Sequence, residues 1–239
     1  MKNSSKYIIA TLAILLLASC KEEVEKPKVT YDTTNKDRSE GIAEPNKILV
    51  ADLPVQMEGT SVLLYPVGEF SVSNGNSKSK YSSSDRDSFM VSNSSENEIT
   101  GFLSNFKFQE IGSDSLKVLT DKPILIERVT YLKSFSDKTK KQYLVYVLED
   151  MDSNKDGKLD TNDIRNLYIS EINGTNFTKL SNDFHELIDW NVIESQNRLY
   201  FRTIEDINKN GAFDKDDKVH YQFVDLMDKE MKVVEYNPI

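Results

Sequence analysis

From residue 47 to the C-terminus, large apolar side chains come in short runs, and no stretch keeps helical spacing over three turns. The runs cover 48–50, 61–65, 102–111, 116–119, 124–132, 143–148, 167–172, 187–193, 199–204, 220–226 and 231–236. Most hold β-branched or aromatic residues and are bounded by Gly, Asn, Asp or Ser, the pattern of strands closed by turns. This predicts an all-β domain over 46–239. One stretch, 71–98, interrupts the pattern with Ser, Asn and Lys around a single apolar island, Phe89-Met90-Val91. It reads as a long mobile loop pinned at Phe89.

Two twelve-residue segments, 152–163 and 206–217, superpose at an offset of 54 residues. Oxygen side chains fill positions 1, 3 and 5 of both: Asp152, Asn154 and Asp156 in the first, Asp206, Asn208 and Asn210 in the second. Glycine follows at position 6, then Lys158 or Ala212 at position 7, Asp160 or Asp214 at position 9, and Asp163 or Asp217 at position 12. Both segments resemble the EF-hand calcium loop. There the alternate side chains converge on one cation, glycine permits the sharp turn, position 7 gives its backbone carbonyl and position 12 closes the shell. The resemblance implies two Ca2+ sites, with Leu159 and Phe213 at position 8 anchoring the loops. Position 12 is Asp rather than Glu, which weakens bidentate closure, and strand-like sequence stands where the family has helices. Dockerin-type modules also end such loops in Asp, but there the paired loops lie closer together and flank helices. The competing reading is an Asx-rich turn that binds nothing; two complete copies favour calcium over it. A flexible protein cage of this kind suits calcium better than magnesium.

The flanks repeat at the same offset: Tyr146 meets Tyr200, Leu167 meets Tyr221, Ile169 meets Phe223 and Leu180 meets Val234. Residues 167–180, followed by Ile188-Asp-Trp190 and Leu199-Tyr-Phe201, are similar to blades of the TolB-like β-propeller family. Leu119-Thr120 and Leu180-Ser181 stand where that family has its outer-strand "Leu-Thr/Ser". The likeness implies about three antiparallel blade-like sheets, 47–120, 121–182 and 183–239. Propellers need roughly four or more blades to close, so the expectation is an open or incomplete propeller, or a ring completed by a second copy in a homo-oligomer.

Residues 1–20 read MKNSSKYIIATLAILLLASC, a cationic start, an apolar core too short to span a bilayer, and small residues before the single cysteine. The segment resembles a bacterial lipoprotein signal with its lipobox. The resemblance implies removal of 1–19, acylation of Cys20 and attachment to the outer membrane through those acyl chains, each buried methylene contributing ~0.8 kcal/mol. Lys21-Glu22-Glu23 resembles the Lys-acidic-acidic export signal of surface lipoproteins in one Gram-negative phylum, which implies display at the cell surface, with the periplasmic face as the alternative. Residues 20–45 carry almost no large apolar side chains and read as a lipidated flexible tether.

Composition excludes much else. Acidic residues outnumber basic ones 39 to 30, and loss of Lys2 and Lys6 with the signal takes the net charge from -9 to -11, so nucleic acid is no partner. One cysteine permits no internal disulfide, and two histidines leave little for zinc or for serine-triad chemistry. His185 and His220 have no ligand-spaced partner and read as surface or hairpin residues. Trp190 reads as core rather than a sugar-stacking platform. Asp183, Glu186 and Asp189 match no spacing rule for glycoside chemistry and read as solvated positions. No Walker loop, dinucleotide fingerprint or basic aromatic patch is present. The resulting expectation is a non-enzymatic calcium-binding envelope lipoprotein whose stiffened β scaffold contacts a protein or a glycan. Its rival is an enzyme or accessory subunit in extracellular polymer breakdown, which expects a pocket lined by convergent carboxylates.

Overall fold

The computed structural model describes residues 27–31, 47–71 and 90–239. Its strands are β1 (Lys47–Ala51), β2 (Val55–Gln56), β3 (Val62–Ser71), β4 (Ser92–Ser94), β5 (Glu98–Glu110), β6 (Lys117–Val118) and β7 (Leu125–Tyr131). They continue as β8 (Tyr143–Glu149), β9 (Arg165–Glu171), β10 (Thr178–Lys179), β11 (His185–Ile193), β12 (Arg198–Glu205), β13 (Lys218–Asp225) and β14 (Val233–Tyr236). A short α-helix, α1 (Lys133–Thr139), joins β7 to β8. The chain is all-β, as its pattern predicts, and among the described residues every strand pair is antiparallel.

Among the described residues there are two sheets rather than about three. A ten-stranded sheet runs β1-β3-β5-β7-β8-β9-β10, with β2, β4 and β6 added at its sides, and a four-stranded sheet runs β11-β12-β13-β14. The first two expected units merge because β5 is 13 residues long and pairs along both edges. On one side it takes β3 and β4; on the other β7 and β6, with Glu98 opposite Thr130 and Leu103 opposite Ile126. An open edge of that length is a liability, and β7 covers it. The third unit, 183–239, is a separate four-stranded meander. Neither sheet closes on itself.

Strand β8 explains how the sheets stack. Its sequence, YLVYVLE, is apolar without alternation, which marks a strand buried on both faces. Leu144, Tyr146 and Leu148 join one core with Leu64, Ile99 and Phe106. Tyr143 and Val145 turn the other way, into a second core with Leu167, Ile169, Leu199, Phe201 and Val224. The second core lies between the large sheet and the small one, in the manner of packed β-layers. Helix α1 caps it with buried Phe135, while Tyr131 Oη donates to Ser136 Oγ at 2.9 Å.

Parts of two segments expected to be mobile are ordered, 90–98 and 27–31. The predicted mobile loop 71–98 ends in strand β4, and Asp52 secures it: Val91 N and Ser92 N donate to its carboxylate at 3.0 and 2.9 Å, and Ser92 Oγ at 2.5 Å. Val91 packs on the first core; residues 72–89, with Phe89, lie outside the described residues. The second exception is 27–31, within the predicted tether. The signal segment, Cys20 and the remainder of the tether also lie outside the described residues.

Candidate metal centres

Segment 152–163 connects β8 to β9, and segment 206–217 connects β12 to β13, so both candidate loops are hairpin connections. Most of their internal hydrogen bonds correspond position for position. Asp156 N donates to Asp152 Oδ1 and Asn154 Oδ1 at 3.1 and 2.9 Å; Asn210 N donates to Asp206 Oδ1 and Asn208 Oδ1 at 3.2 and 2.9 Å. Gly157 N and Gly211 N donate to the second oxygen of Asp152 and Asp206 at 2.9 and 2.7 Å. The position 7 amides, Lys158 N and Ala212 N, donate to Asp156 Oδ1 and Asn210 Oδ1. Asp160 N and Asp214 N each donate to the position 12 carboxylate at 2.9 Å. Backbone angles follow suit, with Lys155 and Lys209 at φ 59 and 58, and Gly157 and Gly211 at φ 87 and 83.

This pattern fixes what the donor set can do. Each side chain at positions 1, 3 and 5 accepts one or two amides, and a carboxylate has about four lone-pair sites, so acceptor capacity remains for a hard cation. Among the described residues, however, no three of these carboxylates bring ligand oxygens mutually within 4.8 Å. Mutual repulsion of like charges opposes such convergence. The position 8 anchors differ from expectation: Leu159 and Phe213 are only half-buried. Fully buried Asp163 and Ile164 seat the first loop instead.

Asp163 closes its loop by binding backbone. Its Oδ1 faces Ser153 N at 2.8 Å, with Asn154 N and Ser153 Oγ at 3.3 Å, and its Oδ2 accepts Asp160 N. Burial raises its pKa, against the opposing pull of those amides. With Oδ1 so crowded, bidentate closure of a cation is disfavoured, in line with the shorter side chain at position 12.

Residues 27–31 lie across both loops. Lys28 N donates to Gly211 O at 2.7 Å, and Thr30 N donates to Ser153 O at 3.0 Å. Ser153 Oγ donates to Lys28 O at 2.7 Å, and Thr30 Oγ1 donates to Asn154 O at 2.9 Å. Val29 is buried, and Tyr31 packs against Phe184 with ring centroids 6.2 Å apart. Burial, and then the nearby charge of Asp206, push the Tyr31 hydroxyl up to about 12. Composition hides this strap because its grip is backbone: any residue other than proline supplies the same N–H and C=O groups.

The remaining candidates fall into place around the loops. Asp189 pairs with Arg202, and Asp183 with Lys179, at the surface as expected. Glu186 is buried instead, taking Lys28 Nζ, Arg165 Nε and Arg165 N at 2.9 Å each. Trp190 packs on the second core. Glu149 is fully buried at the base of the first loop, with no hydrogen-bond partner for either oxygen. Burial, reinforced by the charge of Glu127, raises its pKa to about 9. The two histidines are neither exposed nor apart. Both are buried, and their rings stand 4.7 Å apart in the small sheet. Strand register joins positions that linear spacing separates.

An open cleft of about 660 Å³ lies beside β9, lined by Lys141, Tyr143, Glu171, Asn176 and Met231 among others. Glu171 is committed to its own turn, accepting Thr175 Oγ1 and Asn176 Nδ2. No helix among the described residues is long and apolar enough to cross a membrane. A scan of protein-family models and a search of curated proteins found no match to the chain.

Proposed function

We propose that the protein is a non-enzymatic, calcium-binding lipoprotein of the bacterial outer membrane, anchored through Cys20 and displayed at the cell surface. The observation that carries the reading is the matched ring of side chain–backbone hydrogen bonds in 152–163 and 206–217, built on oxygen donors at the same positions of both loops. Calcium suits an all-oxygen set with a backbone carbonyl at Lys158 or Ala212. Bound there, it neutralises repelling carboxylates and stiffens both hairpins. Strands, not hinged helices, flank the loops, so the ion braces the scaffold rather than switching it. The repeated order of strand, loop, strand and short strand, β8 to β10 and β12 to β14, supports the propeller-blade-like reading of these units.

The strap gives this reading a geometry. Pro27 lies seven residues after Cys20, a reach of about 25 Å at full extension. Lipidation at Cys20 therefore holds the two-loop end of the molecule towards the bilayer. The outer face of the small sheet carries Tyr200, Tyr221, Phe223 and Tyr236 in mutual ring contact, with Arg198 4.2 Å over Phe223. Aromatic surfaces of this kind favour a protein or glycan partner.

Thermal unfolding with and without calcium tests the reading. Binding to the folded state adds about 2.7 kcal/mol at a hundredfold excess over Kd, so calcium should raise the midpoint and chelator reverse it. A midpoint indifferent to both would refute it. Loss of fatty-acid labelling in Cys20→Ala tests the anchor separately.

A further inference from the structure

We propose that His185, Glu205 and His220 form a third metal site, for a divalent transition ion of the zinc class, separate from the calcium loops. The three residues come from adjacent antiparallel strands, β11, β12 and β13. The register sets His185 opposite Glu205 and His220 opposite Thr203. One ligand atom from each lies within 4.8 Å of the other two. His220 Nε2 stands 2.9 Å from Glu205 Oε2, and His185 Nε2 stands 4.0 Å from the same oxygen. Ligand atoms around a four-coordinate zinc, at bonds of about 2.0–2.1 Å, sit about 3.3 Å apart. Shifts of about 1 Å at these side chains bring the set to that spacing.

The support around the ligands carries the argument furthest. In both rings Nε2 faces Glu205, while Nδ1 already has an oxygen partner. His220 Nδ1 is 2.9 Å from Glu235 Oε1, and His185 Nδ1 is 3.3 Å from Thr203 Oγ1, whose own proton points to Gln222 Oε1 at 3.4 Å. An outer carboxylate or hydroxyl on the second ring nitrogen is how metal-bound histidines are oriented and their tautomer fixed. Here both Nε2 atoms face the same carboxylate oxygen, Glu205 Oε2. Packing locks the rings, with side-chain exposure of 11% for His185 and 8% for His220, whereas Glu205 is 42% exposed. Water on that open side supplies the fourth ligand. Two imidazole nitrogens suit zinc, copper or nickel and are poor donors for calcium. Lys218, opposite Glu205 in the register, is exposed and stands at the rim. The competing account is a structural ion pair in which His220 holds a proton on each nitrogen between Glu205 and Glu235, with no metal.

Cobalt(II) titration of the purified protein in excess calcium separates the two accounts, because calcium fills the oxygen-only loops. One equivalent should produce the intense visible absorption of a four-coordinate site, and zinc should bleach it. His185→Gln, His220→Gln and Glu205→Gln should each lose that absorption, and Glu235→Gln should weaken binding about tenfold to a hundredfold. Asp206→Ala should keep it. Glu205→Gln alters a half-exposed side chain, so it reports on the site even where a histidine variant unfolds. Wild-type protein without the absorption, or an unchanged spectrum and affinity in Glu205→Gln, would overturn the proposal. Neither result depends on whether the loops bind calcium.

Discussion

Loops 152–163 and 206–217 make the same turn with a shared set of side chain–backbone hydrogen bonds, yet each is fastened to the body at the opposite end. In the first, the closing carboxylate is buried: Asp163 is 0% exposed, while Asp152 is half-buried. In the second, the opening carboxylate is buried: Asp206 is 3% exposed, while Asp217 is half-buried. Position 2 accounts for part of this. Ser153 accepts Ile164 N at 2.9 Å and donates to Lys28 O, whereas Ile207 offers only its amide, to Asp217 Oδ1 at 3.2 Å, and is itself 54% exposed. The strap lies over Gly211 of the second loop instead, beside Tyr31 and Asp206. Local side chain–backbone bonds thus define the turn, and tertiary partners decide how firmly each turn is held.

The sharpest contrast lies at the bases of the loops, where the repeat places Glu149 in one unit and Thr203 in the other. Thr203 is satisfied by His185 and Gln222; Glu149 has no partner. Because burial raises the folded-state pKa of Glu149 from 4.5 to about 9, its contribution is full below 4.5 and is lost as pH rises towards 9. Each unit of pH in that window removes up to about 1.4 kcal/mol. Glu149→Gln should therefore flatten the decline, with a higher unfolding midpoint than wild type at pH 8 and little difference at pH 4. Equal midpoints at pH 8 would mean that Glu149 is solvated or paired in solution.

Ser153→Ala comes next. It strands the buried Ile164 amide and removes the donor to Lys28 O, a loss of about 2 kcal/mol by denaturant unfolding. Ile207→Ser at the same position of the other loop should shift stability by less than about 0.5 kcal/mol. Equal effects would erase the asymmetry. A smaller difference is expected between the glycines. Both sit at left-handed φ, where alanine costs about 1–2 kcal/mol. At Gly211 the new Cβ would also lie 2.7 Å from Val29 O and 2.8 Å from Pro27 Cβ. Gly211→Ala should lift the strap and expose 27–31 to protease; Gly157→Ala should leave the strap in place.

Much of this was legible in the residues. Short apolar runs marked β1, β3, β5–β9 and β11–β14, and the Asp/Asn-Gly repeat marked both hairpin connections. The two-residue strands β2 and β10 fell below any pattern, and α1 is too short for periodicity to register. Merging of the first two units rests on which edge of β5 meets β7, and pairing partners are not encoded in the run itself. The strap is a backbone contact and therefore silent in composition. The histidine pair was hidden for a related reason: His220 lies 35 positions after His185, and only the register across β12 sets them side by side.

The central claim, two calcium loops of unequal strength on one strapped scaffold, is tested most directly by calorimetric titration of wild type, Asp152→Ala and Asp206→Ala. Loop 152–163 presents Asp152, Asp156, Asp160 and Asp163, while Asn210 leaves loop 206–217 with Asp206, Asp214 and Asp217. Tyr31 also lies close to Asp206. More ligand charge strengthens binding, and both dissociation constants should fall on the order of 10⁻⁵ to 10⁻³ M. The account predicts two equivalents in wild type, loss of the tighter event in Asp152→Ala, and loss of the weaker one in Asp206→Ala. No calcium-dependent heat, or two events untouched by either substitution, would contradict it.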